Sequence, residues 1–251
     1  MNGAGGAWLR QLAGLAVLLA VWELAARLGL LNPLYAPAPS AIGLALVQLF
    51  AGGTIWPHLA ATFAAALGGL ALGLAIGTAL GVAAALVPIV AELLEPVMIL
   101  LNAVPRVVLA PLFVIWLGIG LASKMAVAFI LVAVLIFFTV YTGIRQVDRR
   151  LIERVVTLGG GRRALLQEVY LPSVLAWLLG NLKVAVGFAF TGAVVGEFVA
   201  ASRGLGYLLS FAQSTFNAAL MLALVVLIMG FVLLIFALTG ALERRLLRWR
   251  G

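Results

Sequence analysis

The chain has 251 residues, of which 65% are hydrophobic and 10% charged, and a mean hydropathy of +1.25 places it in a membrane, not in water. It carries no cysteine, which excludes disulfide frameworks, thiolate nucleophiles and cysteine-ligated metals, and its single histidine has no second imidazole to share a metal with. The formal charge of +8 would suggest nucleic acid in a soluble protein. Here the basic residues cluster in two segments (Arg145, Arg149, Arg150, Arg154, Arg162 and Arg163; then Arg244, Arg245, Arg248 and Arg250), which reads as topology, with both segments in the cytoplasm and no nucleic-acid partner.

The first apolar run, 7–28, is long enough to span. Glu23 and Arg27 stand where a cleavable signal would need small residues, so it reads as a retained first helix with its N-terminus inside. Residues 29–57 are rich in turn formers (Pro33, Pro37, Pro39, Gly52, Gly53, Pro57) and read as an external segment, with Ser40 as N-cap of a short helix to about Phe50. His58 at its end reads as an interfacial residue. The second span, 59–87, carries Gly69, Gly73, Gly77 and Gly81 four residues apart, a smooth stripe that admits another backbone, within the chain or between subunits. Pro88, Pro96, Pro105 and Pro111 argue against continuous helix. Residues 92–104 are therefore expected partly at the cytoplasmic surface, and 110–121 to finish the third crossing. Arg106 between them either snorkels to the interface or lines a pathway.

A fourth span covers 124–144. The fifth, 172–199, holds Asn181, Lys183, Thr191 and Glu197, and polar groups at such depth face protein or water instead of lipid. Asn181, Thr191 and Glu197 thus join Arg106 as candidate pathway residues, with a structural acceptor as the other reading of Glu197. Residues 200–216 read as an external turn and 218–240 as the last span. The result is an all-α integral membrane protein with six transmembrane helices and both termini cytoplasmic. In that topology the short inner turn near Pro88 carries glutamates and no basic residue.

Between the fourth and fifth spans lies LIERVVTLGGGRRALLQEVYLP, 151–172, amphipathic and crowded with charge. Leu151, Ile152, Val155 and Val156 fall on one helix face, opposite Arg149, Arg150, Glu153 and Arg154. Gly159, Gly160 and Gly161 should end this helix, each costing roughly 1 kcal/mol against alanine. Leu165, Leu166 and Val169 mark a second short helix, which Pro172 is expected to end by starting the next. The shape predicted is helix, tight turn, helix, outside the lipid.

Glu153, Gly159, Val169, Leu171 and Pro172 match the spacing E-A-A-x3-G-x9-I-x-L-P, with Arg154 and Val155 in place of the alanines and Val169 in place of isoleucine. This resembles the cytoplasmic coupling loop of bacterial ABC importer permeases. YAPAPSAI, WPHLAATF, AVPRVVLAPLFVIWLGIG and VVGEFVAASRGLGYLL extend the resemblance to the nitrate, sulfonate and taurine branch over nearly the whole chain. The resemblance implies the type I importer permease fold as a single domain, 1–251, with its coupling loop at about 145–172, in the bacterial inner membrane. It implies a second permease copy as homodimer partner, an ATPase subunit and an external substrate-binding protein, besides the surrounding lipid. Glu153, Leu158, Gly159, Gly160, Val169, Leu171 and Pro172 are then the ATPase-docking residues. The chain itself has no G-x4-G-K-S/T phosphate loop, so ATP and magnesium would be held by the partner and no cofactor by this chain. The expected activity is transport by alternating access, not catalysis, of a sulfonate, taurine, nitrate or vitamin precursor. An ion-coupled secondary transporter is the alternative, and would have to couple through intramembrane acids such as Glu197.

Overall fold

A computed structural model describes residues 4–246, all helices and connecting turns with no strand among them. The helices are α1 (Ala4–Arg27), α2 (Pro39–Ala51), α3 (Ile55–Leu86), α4 (Pro88–Ala103), α5 (Leu109–Leu117), α6 (Leu121–Arg145), α7 (Arg149–Thr157), α8 (Arg162–Leu165), α9 (Leu171–Val199), α10 (Leu205–Ser214) and α11 (Ala218–Leu246). Among the described residues, four helices are long and apolar enough to cross a membrane, and they coincide with the second, fourth, fifth and sixth predicted spans. The first predicted span is α1, and the third is divided between α4 and α5, separated by a 3-10 turn at Arg106–Val108. Of the basic tail, Arg248 and Arg250 lie outside the described residues.

α6 is the centre of the bundle. Its most apolar stretch is 67% buried within the chain, against 11% for α11. Lipid tails are as apolar as leucine, so the helices gain nothing by hiding from solvent and associate through close backbone contact. The glycine stripe of α3 supplies it. A Cβ on Gly69 would lie 2.4 Å from Ala128 Cβ, one on Gly73 2.5 Å from Val132 Cβ, and one on Gly77 2.7 Å from the Ala133 carbonyl oxygen. The stripe therefore packs within the chain, with α3 and α6 parallel. α9 runs antiparallel on α6, where Gly192 leaves space for Ala128 and Gly196 for Lys124. Val132, Ile136, Val140, Ala185, Ala189 and Ala193 fill the seams between the three helices.

Four expectations from sequence need correction. α4 is one helix through Pro96, because proline removes a single intrahelical bond and the neighbouring turns still hold. Ser40 does not cap α2: the N-cap position is Ala38, and Glu23 on α1 takes the capping part, accepting Ser40 N–H (3.0 Å) and Ser40 Oγ (2.8 Å). Residues 200–216 are not a plain turn, since they contain α10, with Leu205 and Ala212 buried. Pro172 stands in the first turn of α9, as expected, but it does not end the helix before it. The chain runs helically from Arg162 to Val199, through a π-turn at Leu166–Tyr170. That wider turn accommodates the proline, whose ring would crowd the carbonyl four residues back in a regular α-helix.

Candidate functional site

The predicted coupling loop is a defined structure at one end of the bundle. Asp148 caps α7, its carboxylate accepting Arg150 N–H at 2.9 Å. At the other end of α7, Gly159 sits at φ 82°, a left-handed conformation that side chains resist, and its N–H donates to the Val156 carbonyl (2.9 Å). The Gly160 N–H reaches back to Val155 (2.8 Å), completing a Schellman turn. A Cβ on Gly160 would meet Val155 Cγ1 at 2.5 Å, so the two glycines have separate requirements, one conformational and one of space.

No residue of α7 or α8 is buried within the chain. Glu153 is exposed, Leu158 is 82% exposed at the apex of the turn, and Leu166 and Leu171 are about half exposed. Val169 is buried, and its carbonyl accepts the Ser173 hydroxyl (2.7 Å). The predicted docking residues therefore divide in two. Glu153, Leu158 and Gly159 present a surface, while Val169 and Pro172 fix the π-turn that joins this surface to α9. A cavity of about 500 Å³ lies beneath, lined by Leu86, Arg162, Leu165, Leu166 and Tyr170, so the inner end of α3 adjoins the loop.

One of the glutamates after Pro88, Glu95, is held from α6. Tyr141 Oη donates to Glu95 (3.0 Å) and accepts from Arg145 (2.5 Å), whose guanidinium also lies 5.3 Å from the Tyr141 ring centroid. Arg145 thus reaches Glu95 only through the Tyr141 hydroxyl, and among the described residues it forms no ion pair with either glutamate.

The candidate pathway residues are scattered. Glu197 is 1% exposed, at the end of the bundle opposite the basic loop. Its Oε2 accepts Thr62 Oγ1 (2.7 Å) and Gly206 N–H (3.1 Å), while Oε1 has no hydrogen-bond partner among the described residues. Thr191 is exposed along α9 with its hydroxyl turned to the Gly187 carbonyl (2.9 Å), and Asn181 donates to the Trp177 carbonyl (3.0 Å). Trp177, Val184, Thr191 and Phe198, seven apart, form a face of α9 that the chain leaves uncovered. The side chain of Arg106 lies outside the described residues.

Sequence reading missed the partners of Glu197. Thr62 Oγ1 accepts Leu205 N–H (2.9 Å), Gly204 N–H donates to His58 Nδ1 (3.1 Å), and Lys124, 5% exposed, donates to the Arg203 carbonyl (2.6 Å). His58 stacks on Tyr207, centroids 5.7 Å apart. The cluster answers a specific need. The N-terminus of α10 is buried, its first-turn amides have no intrahelical acceptors, and side chains from α3 and α9 provide them. Gly204, at φ 128°, and Gly206 stand against the carboxylate, where added Cβ atoms would lie 2.0 Å from Glu197 Cδ and 2.7 Å from Glu197 Cβ. The sequence signal was there in GEF followed by GLG, but the spacing does not reveal that Thr62 and Lys124 arrive from elsewhere.

Comparison with known proteins places this architecture. Residues 73–248 match the model of the family described as binding-protein-dependent transport system inner membrane component. The riboflavin transport system permease protein of Chloroflexus aurantiacus is 38% identical over 237 residues, covering 94% of this chain and 88% of that one. The taurine transport system permease protein of Escherichia coli is 33% identical over 242 residues, with the same coverage of 94% and 88%. Among solved structures, the MetNI methionine ABC transporter in an inward facing conformation aligns with a TM-score of 0.60 at 22% identity, over 76% of this chain and 93% of that one. An amino acid ABC transporter with histidines aligns with a TM-score of 0.66 at 15% identity, over 80% and 97%. The helical bundle is the fold shared with these structures, and the chain is a member of the binding-protein-dependent ABC importer permeases, the multi-pass inner-membrane components of these transport systems.

Proposed function

We propose that this chain is the permease of an ATP-driven importer in which the 145–172 loop receives the stroke of a separate ATPase subunit. The observation that carries the reading is the π-turn. α7 and α8 form an unburied surface, and α8 runs without a break into α9, so a displacement of the loop moves a membrane-crossing helix. A floppy connector would dissipate it. Leu158 is the apolar point of contact, Gly159 sets the turn, and Glu153 on the charged face of α7 fixes the loop against the ATPase. ATP and magnesium belong to that subunit.

In this reading the basic loop is cytoplasmic and the Glu197 end external, in keeping with the arginine distribution. Two copies of the chain face each other, and the uncovered face of α9, with Asn181 and Thr191, lines the route between them. Closure of the ATPase pair draws the loops together and turns the spans from inward-open to outward-open. The solute is a small organic molecule of the sulfonate or vitamin-precursor kind, as the names of the relatives suggest. Affinity purification of the tagged chain from its own membranes in mild detergent tests the proposal. An ATPase subunit should co-elute in equal amount and be lost with Gly159→Pro. Absence of an ATP-binding protein from the wild-type sample would overturn it.

A further inference from the structure

Four consecutive residues at the Glu197 end, 203–206, have their backbones tied by side chains from three different helices, namely Lys124, His58, Thr62 and Glu197. Capping of α10 accounts for the three amide contacts. It does not account for Lys124, which is buried in order to hold a carbonyl that precedes the helix. Burying an ammonium carries a desolvation cost, and a carbonyl at the surface would be satisfied by water at none. Attraction to the nearby Glu197 carboxylate offsets part of that cost, and the hydrogen bond to the Arg203 carbonyl adds a fixed position for residue 203. The side chains of Ser202 and Arg203 are exposed, and the Arg203 guanidinium makes no ion pair among the described residues. Arg27, also exposed at this end, is paired with Glu23 at 2.6 Å. The segment is a rigid prong tipped by an uncommitted cation.

We propose that 202–204 is a preorganised docking point for the solute-binding protein on which this family depends, with Arg203 meeting an acidic patch on that protein. The inference rests on the importer reading above, which places this end outside. Fixing the backbone in advance removes the ordering cost of association, and a charge at the rim of an interface governs encounter rate and salt dependence. Lipid phosphates also accept arginine, but a fluid headgroup layer makes no use of a backbone held at four successive residues.

The test is a titration of ATP hydrolysis. The assembly of this chain with its ATPase subunit is placed in nanodiscs and titrated with the purified, solute-loaded binding protein that stimulates the wild type. Arg203→Glu should raise the half-saturating concentration about tenfold at low salt, leave the maximal rate unchanged, and abolish the wild type's loss of affinity with added salt. Arg203→Lys should restore most of the affinity. Lys124→Met, which frees the Arg203 carbonyl but also removes the charge facing Glu197, should give an intermediate shift in assemblies whose Tm matches the wild type. Equal half-saturation in wild type and Arg203→Glu overturns the docking point. So does an effect that follows the anionic-lipid content of the nanodisc instead of the binding-protein concentration. A wild-type assembly that no solute-binding protein stimulates overturns the importer reading itself, and the docking point with it.

Discussion

At the Glu197 end, a carboxylate, a hydroxyl, an ammonium and an imidazole converge on one turn, and Glu197, Thr62 and Lys124 are all sealed from solvent. At the basic-loop end, no residue of α7 or α8 is fully buried and Leu158 stands 82% exposed. In the first arrangement the amides of Gly204, Leu205 and Gly206 at the start of α10 all find acceptors within the chain. The second is complete only as backbone, and its side chains are left exposed, as the proposed docking to an ATPase subunit requires. On the proposed function, the difference separates buried residues that hold this protein together from exposed residues that connect it to a partner. Substitution of the buried Glu197, Thr62 or Gly204 should therefore be read as lost stability, and substitution of an exposed side chain at the loop as lost association.

The sharpest way to break that contrast is Gly204→Ala. The added methyl would overlap the Glu197 carboxylate at a φ of 128°, so the variant should lose more than about 3 kcal/mol. Thermal unfolding in detergent would show this as a large drop in Tm or a failure to purify as a single species. Glu197→Ala comes next. It strands the Thr62 hydroxyl and the Gly206 amide in a buried site, a loss of about 2 to 3 kcal/mol. Glu197→Gln, which keeps an acceptor in place, should retain most of the Tm. Were both Glu197 variants to unfold like wild type and fail only in transport, the pathway reading of Glu197 would replace the structural one.

At the loop the expected effects on stability are smaller. Gly159→Ala forces a side chain into the left-handed region at a local cost of about 1 kcal/mol, while the bundle should melt unchanged. Its measurable consequence is weaker retention of the ATPase subunit on an affinity column. Leu158→Ala should leave Tm untouched, because the side chain has no packing to lose, yet weaken association with the ATPase about tenfold. A fall in Tm for Leu158→Ala would mean that the loop is integral to the fold, and the contrast between the two ends would collapse.

The sequence by itself determined the spans, because lipid demands long apolar helices and tolerates little else, and the loop, because three glycines in an amphipathic stretch have few structural solutions. It also determined that α3 would meet another helix along its glycines. Which helix it met was decided only in the tertiary structure, since a smooth stripe accepts any close backbone and α6 fits it residue by residue. The same holds for the cluster around Glu197. His58, Thr62, Lys124 and Glu197 are spread over 140 positions of sequence, and each alone is an isolated polar group near a helix end. What joins them is the burial of the α10 N-terminus, whose unsatisfied amides exist only once the helices have packed. Likewise Pro172 read as a break between two helices, because the local sequence carries the cost of a proline but not the π-turn that joins α9 to the run before it. Local periodicity is written in neighbouring residues, whereas the satisfaction of buried polar groups is settled among residues that only folding brings together.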